Sequence, residues 1–452
     1  MRRTWFCLFF ILILSISCSR GNNKSTDKSG SDTTGEILSD DSLLTLVQYR
    51  TFLYFWDGAE PNSGMARERF HVDGIYPDDD MNVVTTGGTG FGVMAILAGI
   101  ERGFISRDEG YSRFFKVIEF LKKSDRFHGA YPHWIYGETG RVKPFSPKDN
   151  GADIVETAYL MQGLLTVRQY FMDGSDKEKI LAADIDRLWR EVEWNLFTKG
   201  GENVLYWHWS PDFGWEMNFP VQGYNECLIL YILAASSPTY PIQSGVYHEG
   251  WARAGAIITS SGKYGYILTI KHNGATEYGG PLFWAHYSYL GLDPRHLRDK
   301  YADYWQHNIN QTLINWKWCS LNPKNYTGYS SVCWGLTAGY SVKFYAAHSP
   351  GETNDLGVIS PTAALSSFPY TPVHSMEALK HFYFDLGNKI WGEYGFYDGF
   401  SEQYSWFPQK YLAIDQGPVV VMIENYRSGL LWNLFMSCRE VHEGLNLLGF
   451  NY

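Results

Sequence analysis

Cysteine is scarce in this chain, basic residues are outnumbered, and no apolar run near either end is long enough to cross a bilayer. Six cysteines occur in 452 residues. Cys7 and Cys18 belong to the N-terminal stretch; Cys227, Cys319, Cys333 and Cys438 have no spacing that suits a zinc site. Cys227 and Cys438 fall in apolar helical runs and read as core residues. Cys319 and Cys333 are the one pair close enough in sequence for a local bridge, and whether they are bonded stays open. Lys and Arg number 38 against 48 Asp and Glu, a formal net charge of −10, which argues against a nucleic-acid partner. H-E-x-x-H and G-x-S-x-G are both absent, so zinc-protease and serine-hydrolase chemistry lose their usual support. Gly87-Gly88-Thr89-Gly90-Phe91-Gly92 lacks the dinucleotide-binding spacing and no Lys-Ser/Thr follows it; it reads as a lead-in to a helix beginning at Gly90. Asp78-Asp79-Asp80-Met81-Asn82 begins like a calcium loop, but Val83 stands where Gly is required and Thr89 where Glu is required. No metal and no cofactor are expected.

The N-terminus reads as targeting rather than fold. Arg2 and Arg3 precede an apolar segment over residues 5–16, too short to span a membrane. Ser17-Cys18 follows, resembling a bacterial lipoprotein cleavage site, although Ser15 replaces the usual Leu. Residues 1–18 are thus expected to be a leader with Cys18 the lipidated residue. Residues 19–40, polar and rich in Ser, Gly, Asp, Lys and Thr, form a tether. Residues 41–452 form one globular unit, monomeric and touching a membrane only through the lipid. Arg20, Lys24 and Lys28 lack an acidic cluster after the cysteine, which favours the periplasmic side of the outer membrane over the cell surface.

What is abundant is helical patterning and aromatic residues. Apolar periodicity predicts helices over 43–56, 90–102, 107–122, 152–171, 177–196, 224–235, 247–258, 298–315, 375–387 and 428–442. A strand or hairpin arm is predicted over 264–271. No short-period repeat occurs. Many helices, long loops and a single unit predict an all-α (α/α)6 barrel, with loops at one end building a cleft. Aromatics reach 17%, clustered with polar neighbours as in Tyr131-Pro132-His133-Trp134 and Tyr206-Trp207-His208-Trp209. Flat aromatic faces stack on pyranose C–H faces, whereas a core alone is served by Leu, Ile and Val. Large helical cores also use Trp and Tyr, so clustering points to sugar without settling it.

Acids mark the candidate site. Lys148-Asp149-Asn150-Gly151-Ala152-Asp153-Ile154-Val155-Glu156 opens an apolar helix, with Asn150 or Asp149 read as its N-cap. Asp153 and Glu156, three apart, share one face. Asp149 and Asp153 are also what a helix dipole favours near its N-terminus; Glu156, flanked by Ile154, Val155 and Ala158, is harder to explain that way. Glu226 begins an apolar helix, and Asp415 lies in Asp415-Gln416-Gly417-Pro418, read as a turn feeding the apolar run 419–423.

Glu277-Tyr278-Gly279-Gly280-Pro281-Leu282-Phe283-Trp284, Cys333-Trp334-Gly335-Leu336-Thr337-Ala338, Ile414-Asp415-Gln416-Gly417-Pro418, Thr51-Phe52-Leu53-Tyr54-Phe55-Trp56 and Gly99-Ile100-Glu101-Arg102-Gly103 together resemble the bacterial glucoamylase-like family, specifically glycoside hydrolase family 144, the β-1,2-glucanases. The resemblance implies an (α/α)6 barrel that hydrolyses β-1,2-linked glucose with inversion, either internally or by releasing sophorose. It implies Glu226 near the scissile bond, Asp415 opposite, and Asp149, Asp153 and Glu156 in the cleft. Glu226 is expected to be the acid and Asp415 the base, through a water or sugar hydroxyl; the alternative makes Glu156 or Asp153 the base. Tyr224, Trp209, Tyr278, Trp284, His286, Trp334 and Trp406 are the expected substrate contacts, with a β-glucan or gluco-oligosaccharide as partner. Competing readings are a glycan-binding lipoprotein without activity, an α-glucan hydrolase, and a lyase acting on acidic sugars.

Overall fold

In the computed structural model, which describes residues 38–452 except 275 and 276 and the side chain of residue 79, residues 40–452 form one compact unit. The leader and Cys18 lie outside the described residues. The helices are α1 (Asp40–Trp56), α2 (Thr86–Glu101), α3 (Arg107–Leu121), α4 (Ile154–Phe171), α5 (Asp176–Arg190), α6 (Leu228–Ser236) and α7 (Tyr304–Leu321). They continue with α8 (Pro361–Ser366), α9 (Pro372–Lys380), α10 (Gly387–Ile390), α11 (Ala413–Arg427), α12 (Leu430–Met436) and α13 (Arg439–Leu448). No described helix is long and apolar enough to cross a membrane.

Two kinds of helix alternate along the chain, for a reason visible in their sequences. α2, α4, α6, α8 and most of α11 are buried all round, and a helix apolar or small on every face can only sit inside. α3, α5 and α13 bury one stripe each, Val441, Gly444, Leu445 and Leu448 in α13 for example, and so lie outside. α2 packs on α4, α4 on α6, α8 on α11, and α11 back on α2. Between α6 and α8 the inner position is taken by two 3-10 turns, Leu282–Ala285 and Tyr287–Tyr289, backed by α7. α1, α5, α13 and α9 cover α2 with α11, α4, α6 and α8 respectively. This is the alternating inner and outer plan of an (α/α)6 architecture, with one inner helix reduced to turns.

The inner helices approach closely where side chains are missing. A Cβ on Gly90 would lie 2.1 Å from the carbonyl oxygen of Tyr159, and one on Gly163 would lie 2.1 Å from that of Gly90, so α2 and α4 meet backbone to backbone. Gly417 plays the same part between α11 and Phe91 of α2. Short strands precede several inner helices: Val83–Thr85 before α2, Ala152–Asp153 before α4 and Lys410–Leu412 before α11. They pair respectively with Trp134–Tyr136, His208–Trp209 and Arg69–His71. The loops therefore gather around the N-terminal ends of the inner helices.

Several predicted bounds shift. α2 starts at Thr86, so Gly87 to Gly90 are helical; Thr85 caps it, its hydroxyl accepting from Gly88 N–H. Residues 152–153 are strand, and residues 224–227 precede their helix. Residues 247–258 contain a π-turn, Val246–Trp251, and a 3-10 turn, Arg253–Gly255. α7 begins at Tyr304 because Asp303 caps it. The turn read at Asp415 is the first turn of α11: Gly417 serves close packing, and Pro418 is held within the helix. The predicted arm over 264–271 is a hairpin of Gly262–Lys263 with Tyr266–Ile267. Asp80 lies in a 3-10 turn, Pro77–Asn82, paired with Lys143 at 3.2 Å. Cys227, Cys319, Cys333 and Cys438 are all buried and free.

Candidate active site

A cavity of about 360 Å³ opens at the loop-bearing end of the inner helices. Three carboxylates line it: Glu68, Glu156 and Glu226. Its walls are aromatic, with Trp134, Phe145, Tyr159, Trp207, Phe283, Tyr287, Tyr340 and Tyr345, and His133 and Arg69 add polar groups.

Glu156 reaches the cavity because Asp153 fixes the start of α4. Asp153 Oδ1 accepts from the N–H groups of Val155 at 3.0 Å and Glu156 at 2.9 Å, so Asp153 is the N-cap, not Asn150 or Asp149. Asn150 instead ties two loop residues, accepting from Ser210 Oγ at 2.6 Å and donating to Asp212 at 2.6 Å. The other oxygen of Asp153 accepts from His133 Nδ1 at 2.8 Å and Trp207 Nε1 at 3.0 Å. Burial alone would lower the His133 pKa, but Glu156, Asp153 and Asp149 outweigh it and raise it to about 9. His133 is thus a cation held among acids, and Asp153, buried yet given these donors, has its pKa lowered.

Glu156 Oε2 accepts from Gly87 N–H, in the first turn of α2, at 2.8 Å. Burial, opposed by His133 and reinforced by Asp153, raises its pKa to about 7. Glu226 stands at the approach to α6, also raised to about 7, by burial and then by Glu156. Among the described residues its carboxyl takes no hydrogen bond from another residue, and it lines the cavity. Glu68, paired with Arg69, is raised by burial.

Asp149, Asp153 and Asp415 stand behind the cavity wall. Asp149 lies 3.4 Å from His208 Nδ1, and its Oδ2 has no hydrogen-bond partner. Asp415, in the first turn of α11, accepts from the Tyr287 hydroxyl at 3.1 Å. Burial and then Asp398 push its pKa well above the usual carboxylate range, while burial raises Asp398 to about 6. Asp398, Glu68, His133 and Tyr287 are the residues that sequence reasoning missed. His133 carried a signal in its aromatic cluster; Asp398 carried only its position directly after Tyr397.

None of the seven aromatic and histidine residues expected to touch substrate lines this cavity. Tyr224 is buried, donating to Gln311 at 2.6 Å. Trp284 stacks on His272, Trp209 meets His128 edge-on, and Tyr278 meets Trp318 edge-on. Trp334 is fully buried, donating to the His374 carbonyl at 3.3 Å. His286 is neutral, lowered by burial to about 3, and bonded to Ser367 at 3.0 Å. Trp406 is half-buried in a bridge to Ser401. Aromatic content alone did not separate wall from core, and the wall is built by other members of the same clusters. His133, Asp149 and Asp153 offer ligand atoms within 4.8 Å of one another, a spacing a cation could bridge. His133 already donates its Nδ1 proton to Asp153 there, so a metal would have to displace that proton.

The chain is similar along nearly its whole length to known proteins. Residues 218–439 match the Glycoamylase family model, described as "Putative glucoamylase". The solved endo-β-1,2-glucanase from Chitinophaga pinensis, a complex with sophorotriose and glucose, is 66% identical, with 92% of this chain and 99% of that one covered and a TM-score of 0.91. The solved β-1,2-glucanase from Parabacteroides distasonis is 45% identical over 91% of this chain and 60% of that one, with a TM-score of 0.86. An exo-β-1,2-glucooligosaccharide sophorohydrolase (non-reducing end) from Parabacteroides distasonis is 47% identical over 438 residues, 94% of this chain. The chain spans 60% of the length of that relative. By its likeness along nearly its whole length to such structures, the chain belongs to the bacterial glucoamylase-like family, glycoside hydrolase family 144.

Proposed function

We propose that this protein hydrolyses β-1,2-glucan with inversion at the anomeric carbon. The observation that carries the reading is Glu226: a cavity-facing carboxyl with its pKa raised to about 7, and so protonated at the pH where a neighbouring group must stay ionised. It donates to the departing glycosidic oxygen. Asp415 serves the base side, on a different inner helix, and reaches the cavity by way of the Tyr287 hydroxyl. Glu156 holds Glu226 protonated and, with Glu68 and Arg69, meets sugar hydroxyls; Asp153 and His133 fix Glu156. Trp134, Trp207, Phe283 and Tyr345 supply faces for pyranose rings. The acid arrangement favours hydrolysis over mere glycan binding, which needs stacking faces but not acids raised toward neutrality.

Incubation with purified linear β-1,2-glucan, followed by chromatography of the products, tests the substrate. Gluco-oligosaccharides are expected, as a ladder for internal cleavage or as sophorose alone for release from an end. Binding without product would return the glycan-binding reading, and release from starch oligosaccharides alone would return the α-glucan one. The same proposal includes export with lipidation at Cys18 on a monomeric protein; Cys18→Ser should release the chain from the membrane fraction.

A further inference from the structure

Asp415 is not alone behind Tyr287. Asp398, in the loop after the strand Gly395–Phe396, is fully buried, and Asp415 is 3% exposed. Asp398 Oδ2 accepts from Tyr340 N–H at 2.6 Å, and Asp415 Oδ1 accepts from the Tyr287 hydroxyl at 3.1 Å. That leaves one buried oxygen on each residue, Asp398 Oδ1 and Asp415 Oδ2, with no hydrogen-bond partner among the described residues, while the two carboxyls stand close enough that Asp398 raises the pKa of Asp415. Two buried carboxyls so placed hold one proton between them, because both cannot be charged so close together. The hairpin of Ala338–Tyr340 with Tyr345–Ala347 presses on the pair: a Cβ on Gly339 would lie 2.6 Å from Asp398 Oδ2. The other titratable groups facing the pair are Glu68, Tyr287, Tyr340 and Tyr345.

We propose that Asp398 is a positioning residue for the base side: it is the final acceptor of the proton taken from the attacking water, acting through Asp415 and Tyr287. The inference rests on the assignment of Asp415 to the base side. The pair alone cannot touch the water, since of Asp398, Asp415 and Tyr287 it is Tyr287 that lines the cavity. The resting pair carries one proton, on Asp415 Oδ2, and one negative charge, on Asp398. As the water oxygen bonds to the anomeric carbon, its proton passes to the Tyr287 oxygen. The Tyr287 proton passes to Asp415 Oδ1, and the Asp415 Oδ2 proton passes to Asp398 Oδ1. The glycosidic bond breaks as Glu226 gives its proton to the leaving oxygen. At the end the pair has gained one proton and Glu226 has lost one; exchange with solvent restores both. Asp415 needs no charge of its own at rest, which is why a carboxyl so deeply buried can serve as a base.

Kinetics of Asp398→Asn, Tyr287→Phe and Asp415→Asn on β-1,2-glucan, with sophorotriose binding by calorimetry and Tm for each, test this. The expectation is a fall in kcat of at least thirtyfold for Asp398→Asn, with KM, sophorotriose Kd and Tm close to wild type. A smaller fall overturns the proposal, and so does a fall matched by equal weakening of binding, which marks a purely structural role. Should Asp398→Asn fail to fold, Tyr287→Phe decides by the same criteria. Turnover within threefold of wild type for Asp415→Asn removes the base assignment and the proposal with it. An inactive Asp415→Asn beside a fully active Asp398→Asn overturns the proposal alone.

Discussion

At the scale of single residues, the site depends on how each carboxyl is partnered. Among the described residues Glu226 has no donor from a neighbouring residue, and its pKa is raised to about 7; Asp153 has His133, Trp207 and two backbone N–H groups, and its pKa is lowered. Glu226→Gln should lower kcat on β-1,2-glucan by about 10²–10⁴. The loss should be far smaller on an aryl sophoroside, whose leaving group needs no proton; equal losses on both would count against the acid assignment. With the Glu226 pKa raised to about 7, kcat/KM should fall as pH rises through that value. His133 gives a stability test with a definite sign. Its folded pKa, about 9, lies above the ordinary histidine value, so its contribution is fully present below about 6.5 and is lost as pH rises through about 9. The Tm difference between wild type and His133→Gln should therefore shrink across that window; a constant difference would show that the imidazolium is not what the acids hold. The side-chain partners of Asp153, His133 and Trp207, lie 20 and 54 residues from it in sequence. Position 133 read as one of several aromatic-flanked histidines, and nothing around Asp398 showed that it meets Asp415.

At the scale of elements, the N-terminal ends of inner helices bring the acids together. Glu156 lies in the first turn of α4, Asp415 in the first turn of α11, Glu226 just before α6, and Gly87 donates from the first turn of α2. Amide donors and the positive end of the helix dipole suit carboxylates there. Helices with strong apolar patterns, α1, α3 and α4, were legible within a few residues. α8 and α11 were not. α8 has only six residues, and α11 carries Gly417-Pro418, which locally signals a turn and is overruled by its packing on Phe91. The Gly-rich start of α2 misled in the same way, since Gly90 admits the backbone of α4. Gly90→Ala should thus cost about 1–3 kcal/mol or more in denaturant unfolding, by forcing α2 and α4 apart. An unchanged midpoint would mean that the two helices do not meet at that point.

At the scale of the whole molecule, alternation of all-buried and one-face-buried helices is what made the architecture readable, because burial of a helix follows from its own sequence. The cavity was not readable, because its wall is assembled from loops far apart in the chain: residues 68–69, 133–145, 207, 226, 283–287 and 338–345. Acid–base hydrolysis by these side chains needs no cation, so prolonged treatment with EDTA should leave kcat unchanged; a loss restored by a divalent ion would move His133, Asp149 and Asp153 to the centre of the chemistry. The central claim is that a protonated Glu226 and a base on the opposite side of the bond hydrolyse β-1,2-glucan with inversion. Proton NMR of the first minutes of hydrolysis, before the new reducing ends mutarotate, tests it most directly. The account predicts that α-anomer signals appear first and the β-anomer grows in later. Initial formation of the β-anomer would contradict it.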